Sequence, residues 1–146
     1  MSRAGETLML TEDQVVDAVV AHLRKVGWHI QRTSTVNERG FDILAERNGK
    51  QLVVEAKGGG SGTKGTRRYG HSFTPNQKRN HVAMALLTAA KVVSKRGGRA
   101  AIALPSDEVY RKLVAGICPA LKRLGIITYL VAPNRAVETI GAEVQS

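Results

Sequence analysis

The stretch Gly40-Phe41-Asp42-Ile43-Leu44-Ala45-Glu46-Arg47-Asn48-Gly49-Lys50-Gln51-Leu52-Val53-Val54-Glu55-Ala56-Lys57 decides the fold. Asn48-Gly49 predicts a two-residue type I′ turn, because both residues accept the positive φ that this turn demands. The flanks are apolar and β-branched, as paired strands should be. With Asn48 and Gly49 as the loop, Arg47 faces Lys50. Counting back pairs Ala45 with Leu52, Leu44 with Val53 and Asp42 with Glu55. Side chains alternate between the faces of a strand, so Lys57 shares a face with Glu55. The register therefore predicts Asp42, Glu55 and Lys57 at one end of the hairpin, on one side. Carboxylates facing each other with Cβ atoms about 5 Å apart repel. A divalent cation offsets that repulsion, and hard cations such as magnesium take carboxylate oxygens. A lysine two residues on is suited to stabilising charge beside the metal or to orienting a water.

This arrangement resembles the PD-(D/E)XK nuclease superfamily. Its restriction-endonuclease-like fold draws the active site from an acidic residue on the second strand and a Glu-x-Lys on the third. Gly40-Phe41-Asp42-Ile43 and Glu55-Ala56-Lys57 match that pattern, with thirteen residues from Asp to Glu. Phe41 stands where the family name has proline. The bland alternative is a solvent-exposed strand end carrying a Glu/Lys pair. The resemblance implies a metal-dependent endonuclease using magnesium or manganese, with DNA the favoured substrate. Asp42 and Glu55 would hold the metal, the carbonyl of Ala56 would be a further ligand, and Lys57 would stabilise developing charge or position the attacking water. The products would carry a 5′-phosphate and a 3′-hydroxyl.

Charge extends outward from the same hairpin. The formal net charge of +10 suggests a polyanionic partner. From Ala56 to Ser106 there is no Asp or Glu, while the stretch holds ten basic residues: Lys57, Lys64, Arg67, Arg68, Lys78, Arg79, Lys91, Lys95, Arg96 and Arg99. That is the electrostatic footprint expected of nucleic-acid binding. A merely solubilising surface would mix both signs. After Lys57 comes a glycine-rich run, Gly58 to Gly70, whose chain is flexible and permits close backbone approach. Lys64, Arg67 and Arg68 in it are candidates to close over a phosphate backbone, and Tyr69 to stack on a base. The run lacks the Gly-Lys-Ser/Thr ending of a P-loop.

Upstream, Thr11-Glu12-Asp13-Gln14 reads as a capping box opening a helix to about Val26, with Val15, Val16, Val19, Val20 and Leu23 as its buried stripe. Glu12 is either a carboxylate placed favourably at a helix N-terminus or, as the resemblance implies, a further metal ligand. Residues 28–36 read as the first strand. Downstream, Thr74-Pro75-Asn76-Gln77 opens a second helix, with Pro75 at its first position. Gln77 either completes a capping box or, by the resemblance, is an active-site glutamine. His81 lies four residues on, on the same helix face, where it could touch a phosphate or assist proton transfer. A lone histidine is more often structural. Lys78 and Arg79 extend the expected nucleic-acid face.

Residues 99–104 read as an apolar fourth strand and 126–131 as a fifth. Between them lies a helix starting at Asp107, capped by Ser106 and interrupted or kinked by Pro119. Residues 133–146 carry at most one short strand. The expected fold is thus α/β: an αβββαβ core with a mixed central sheet flanked by helices, plus one further helix and strand, in a single domain spanning 1–146 with peripheral ends. No run of 18 apolar residues and no signal peptide is present, which predicts a soluble, cytoplasmic protein without a membrane partner. The single cysteine, Cys118, excludes an internal disulfide. A homodimer or a protein partner would supply target choice, since no separate recognition domain is visible. The alternative function is a catalytically inactive nucleic-acid-binding module, or a subunit of a defence or mobile-element assembly.

Overall fold

Asn48 and Gly49 adopt φ of 52° and 76°, so the turn at the centre of the chain has positive φ at both positions. In this computed structural model, which describes residues 9–34, 41–60, 71–96 and 98–141, the turn joins β2 (Ile43–Arg47) to β3 (Lys50–Ala56). Their antiparallel register pairs Arg47 with Lys50, Ala45 with Leu52, Leu44 with Val53 and Ile43 with Val54. β1 (His29–Thr33) adds antiparallel to β2, with an irregularity between Ile30 and Arg32. It is shorter than the 28–36 expected: Trp28 is buried beside the strand start, Ser34 follows the ladder, and residues 35 and 36 lie outside the described residues.

β4 (Arg99–Pro105) pairs with β3 in parallel, and β5 (Ile126–Val131) pairs with β4 in parallel. β6 (Val137–Ile140) closes the far edge antiparallel to β5, so part of the expected tail is sheet. The architecture is α/β, one mixed six-stranded sheet in sequence order. Three helices cover it among the described residues: α1 (Glu12–Lys25), α2 (Pro75–Arg96) and α3 (Glu108–Leu124). No described helix is long and apolar enough to cross a membrane.

Alternation along the strands builds two cores. Ile43, Ala45, Leu52, Val54, Ala56, Ala101, Ala103, Ile127 and Tyr129 pack under Val15, Val19 and Leu23 of α1. Val53, Ala100, Ile102, Leu104, Ile126 and Leu130 pack under Val82, Ala85, Ala89 and Val92 of α2 and Val114 and Leu121 of α3. β4 is therefore buried on both faces, which is why its sequence is continuously apolar. Leu10, in an end expected to be peripheral, is buried in the α1 core.

Three boundaries depart from the sequence expectation. The cap of α3 is Asp107, one residue later than Ser106, because the Asp107 carboxylate accepts from the Tyr110 N–H at 2.9 Å. Pro119 sits inside α3 without interrupting it. Both Pro119 and Ala115, whose carbonyl loses its helical donor, lie on the exposed side, so the carbonyl is not left in the core. Gly58, Gly59 and Gly60 are buried rather than part of a flexible clamp. Gly59 N–H donates to Leu10 O at 2.7 Å, its carbonyl accepts from Phe73 N–H at 2.9 Å, and Gly60 bridges to Ser72.

Candidate active site

The hairpin register brings Asp42 to the end of β3. Main-chain pairing stops at Ile43 and Val54, and the Asp42 side chain carries on: its Oδ2 accepts from the Ala56 N–H at 2.7 Å. The Asp42 backbone is fixed on its other side by Ser34, whose N–H donates to Asp42 O at 3.0 Å and whose hydroxyl donates to Phe41 O at 2.7 Å. Asp42 is thus buried, its carboxylate bonded to β3 and its main chain to the residue that follows β1, on rigid elements that favour precise placement. Glu55 and Lys57 follow on the same face of β3, with Lys57 Nζ 3.8 Å from Glu55 Oε2. That is a loose pair, longer than the roughly 2.7–2.9 Å of a charge-assisted hydrogen bond. Both side chains are about one-fifth exposed, at 21% and 17%.

Glu12 reaches the same place from the other side of the sheet. Its approach depends on Gly58. A Cβ on Gly58 would lie 2.5 Å from Glu12 N and 2.9 Å from Thr11 C, so only glycine lets the exit of β3 rest on the start of α1. Thr11 and Gln14 form the expected capping box, with Thr11 N–H to Gln14 Oε1 at 2.9 Å and Gln14 N–H to Thr11 Oγ1 at 3.3 Å. The box leaves Glu12 to project at the first turn of the helix.

Proton affinities record this crowding. Burial, then the charge of Asp42, pushes Glu55 up to about 7, against the pull of Lys57. Burial, then Asp42, also pushes Glu12 up to about 7, again opposed by Lys57. Asp42 is raised too, because burial outweighs the Ala56 N–H and the Lys57 ammonium. Asp42 and Glu55 act on each other as neighbouring carboxyls: the Asp42 charge raises the proton affinity of Glu55. A cluster that gathers protons this readily attracts positive charge, and its hard oxygen donors suit magnesium or manganese. Among the described residues no group of three or more His, Cys, Asp or Glu side chains is already arranged to hold a metal ion. The three carboxylates are electrostatic neighbours rather than a closed cage.

The start of α2 faces this cluster. Thr74 and Gln77 form a second capping box, with Thr74 N–H to Gln77 Oε1 at 2.8 Å and Gln77 N–H to Thr74 Oγ1 at 3.2 Å. The capping contact of Gln77 is thus formed at the helix start. His81 is half-buried, its ring meeting Phe73 edge-on at 4.5 Å between centroids. Burial, then the Lys57 charge, holds its proton affinity below the usual imidazole value.

Lys78 is a correction. It is 8% exposed, donates to Asp107 Oδ2 at 2.9 Å and stands over the Tyr110 ring at 5.4 Å, so its charge is spent on α3 rather than offered to a phosphate. Arg79, next to it, is exposed as expected. Lys64, Arg67, Arg68 and Tyr69 lie outside the described residues.

Sequence reasoning missed three residues. Gly58 carries the close approach of Glu12, and Ser34 holds the Asp42 backbone. Tyr110 is fully buried, with its hydroxyl donating to Gly58 O at 2.8 Å and 3.3 Å from His81 Nδ1. The Tyr110 contact spans 52 positions, and nothing local in the sequence marks it. No protein-family model matches the chain, and no curated protein matches it in sequence.

Proposed function

We propose that this chain is a divalent-cation-dependent nuclease that hydrolyses phosphodiester bonds, with DNA the favoured substrate, on a restriction-endonuclease-like fold. One observation carries the reading: Glu12, Asp42 and Glu55 gather with the Lys57 ammonium at the carboxyl end of β3, where burial raises the proton affinity of all three acids and the Asp42 charge raises that of Glu12 and Glu55 further. The element order α1-β1-β2-β3-α2-β4 agrees with the αβββαβ core of that fold. Ligands in open α/β sheets commonly bind outside the carboxyl ends of the strands, where this cluster lies.

Asp42, Glu55 and the Ala56 carbonyl, with Glu12 beside them, would hold magnesium or manganese. Such an ion polarises the phosphodiester and makes water a stronger nucleophile. Asp42 contributes a fixed oxygen because the Ala56 N–H holds its carboxylate and the Ser34 N–H holds its main chain. Lys57 stabilises the negative charge that builds on the phosphate oxygens, and its loose hold on Glu55 leaves it free to do so. Arg79 contributes a phosphate contact from the exposed start of α2.

A second reading is a nucleic-acid-binding module that keeps the arrangement without cleavage, or a subunit of a larger defence or mobile-element assembly. That no group of three metal-ligating side chains is ready-formed among the described residues favours it. Cleavage assays on duplex, branched and single-stranded DNA and RNA, with and without magnesium or manganese, separate the two. Asp42→Asn should abolish cleavage and leave binding intact. Metal-independent binding with no cleavage of any substrate would select the second reading.

A further inference from the structure

The hydrogen bonds behind His81 fix which of its nitrogens carries the proton. Tyr110 is fully buried, and burial, then the charges of Asp107 and Glu12, pushes its phenol well above the ordinary value, so the hydroxyl keeps its single hydrogen. Two groups lie within reach: Gly58 O at 2.8 Å and His81 Nδ1 at 3.3 Å. A carbonyl can only accept, so the hydroxyl hydrogen goes to Gly58. The hydroxyl oxygen is then the acceptor, and His81 Nδ1 must be the donor. In a neutral imidazole, hydrogen on Nδ1 leaves Nε2 with a bare lone pair. No described residue bonds to Nε2, and the edge-on contact with Phe73 sets the ring plane. The ring is half-exposed, and Gly58, at the far end of the relay, directly follows Lys57.

A bare Nε2 is unsuited to the phosphate contact expected from the sequence, because it would meet a phosphate oxygen lone pair to lone pair. It is suited to taking a proton. We propose that His81 is a proton acceptor in phosphodiester hydrolysis, held in the Nδ1–H form by the relay through Tyr110 to the Gly58 carbonyl. The role rests on the nuclease reading above. Water oxygen bonds to phosphorus as the P–O3′ bond breaks, one water proton passes to Nε2, and the departing 3′-oxygen takes a proton from solvent. The imidazolium then returns its proton to solvent. Tyr110 is a positioning residue here, acting only through His81.

Two measurements on the full-length protein test this. Nitrogen NMR of the histidine rings, in EDTA and without nucleic acid, should show His81 as the Nδ1–H tautomer, and Tyr110→Phe should shift it toward the Nε2–H form. An Nε2–H tautomer in the wild type would overturn the proposal. In single-turnover cleavage, His81→Asn keeps a donor toward Tyr110 but loses the acceptor. It should be slower by about 10²–10⁴-fold with unchanged DNA binding in calcium. Imidazole added to His81→Ala should restore part of the rate in proportion to its concentration. A wild-type rate in His81→Asn, weakened binding at unchanged rate, or no rescue by imidazole would each remove His81 from proton transfer. If His81→Asn cuts normally while Asp42→Asn is dead, only this role fails. If the wild type cuts nothing, the nuclease reading itself fails.

Discussion

Glu55 illustrates what one residue in this site experiences. In the unfolded chain its carboxyl titrates at the ordinary 4.5, and in the folded chain it is held at about 7 by burial and by Asp42. The folded state therefore keeps a proton that the unfolded state gives up between those values. Stability from this group is full below about 4.5 and is lost as pH rises through about 7. Glu12 titrates in the same window and acts in the same direction. In EDTA, Glu55→Gln should match the wild type in thermal unfolding at pH 5 and exceed it by a few degrees at pH 8. Saturating magnesium should raise the wild type at pH 8 and leave Glu55→Gln little changed. A difference that does not vary with pH would mean that Glu55 sits in no such cluster. Asp42, Glu55 and Lys57 were legible in the sequence because a two-residue turn fixes the register and the register fixes the faces. Gln77 was legible only as a choice, because the residues that make a capping box are the same ones that would mark a site glutamine. In the fold the Thr74 N–H engages the Gln77 side chain and the Gln77 N–H engages Thr74 Oγ1, which is the capping contact.

The elements meet through glycine at one contact, and that contact can be tested against another glycine. Gly49 has φ of +76° with no atom within 4 Å of a built Cβ, so Gly49→Ala should cost about 1 kcal/mol of backbone strain and leave the site unchanged. Gly58 has ordinary φ, but its Cβ would strike the backbone of Thr11 and Glu12. Gly58→Ala should cost about 1–3 kcal/mol by overpacking and should also displace Glu12, reducing metal-dependent stabilisation and cleavage together. Unfolding curves with and without magnesium distinguish the two variants, and a Gly58→Ala that behaves like Gly49→Ala would place Glu12 outside the site. The hairpin, the two capping boxes and the apolar β4 were readable because each depends on neighbours in the chain. The contact of Gly58 with α1, the Tyr110 hydroxyl and the hold of Ser34 on Asp42 were not, because each joins segments whose proximity only the folded sheet creates.

At the scale of the molecule, the described basic residues of the acid-free stretch from Ala56 to Ser106 do not share one site. Lys78 is buried against Asp107, and Arg79 is exposed near the site. Lys95 lies sixteen residues further along α2, roughly 24 Å away at 1.5 Å per residue. Charge counted along the sequence is blind to that split. Lys78→Met should lower stability by about 1–3 kcal/mol, the scale of a lost charged hydrogen bond, without altering the salt dependence of DNA binding. Arg79→Ala should do the reverse, reducing the slope of log K against log salt by about 1. Equal slopes in all three proteins would take Arg79 off the nucleic-acid surface. The account as a whole stands on cleavage by the Asp42, Glu55 and Lys57 cluster. Its most direct test is single-turnover cleavage by wild type, Asp42→Asn and Lys57→Ala in magnesium, beside binding titrations in calcium. The account predicts cutting by the wild type only with the divalent cation, none by Asp42→Asn, and a chemical step slower by about 2–4 kcal/mol in Lys57→Ala, with binding retained by all three. Wild-type cleavage rates in both variants, or cleavage that persists in EDTA, would contradict it.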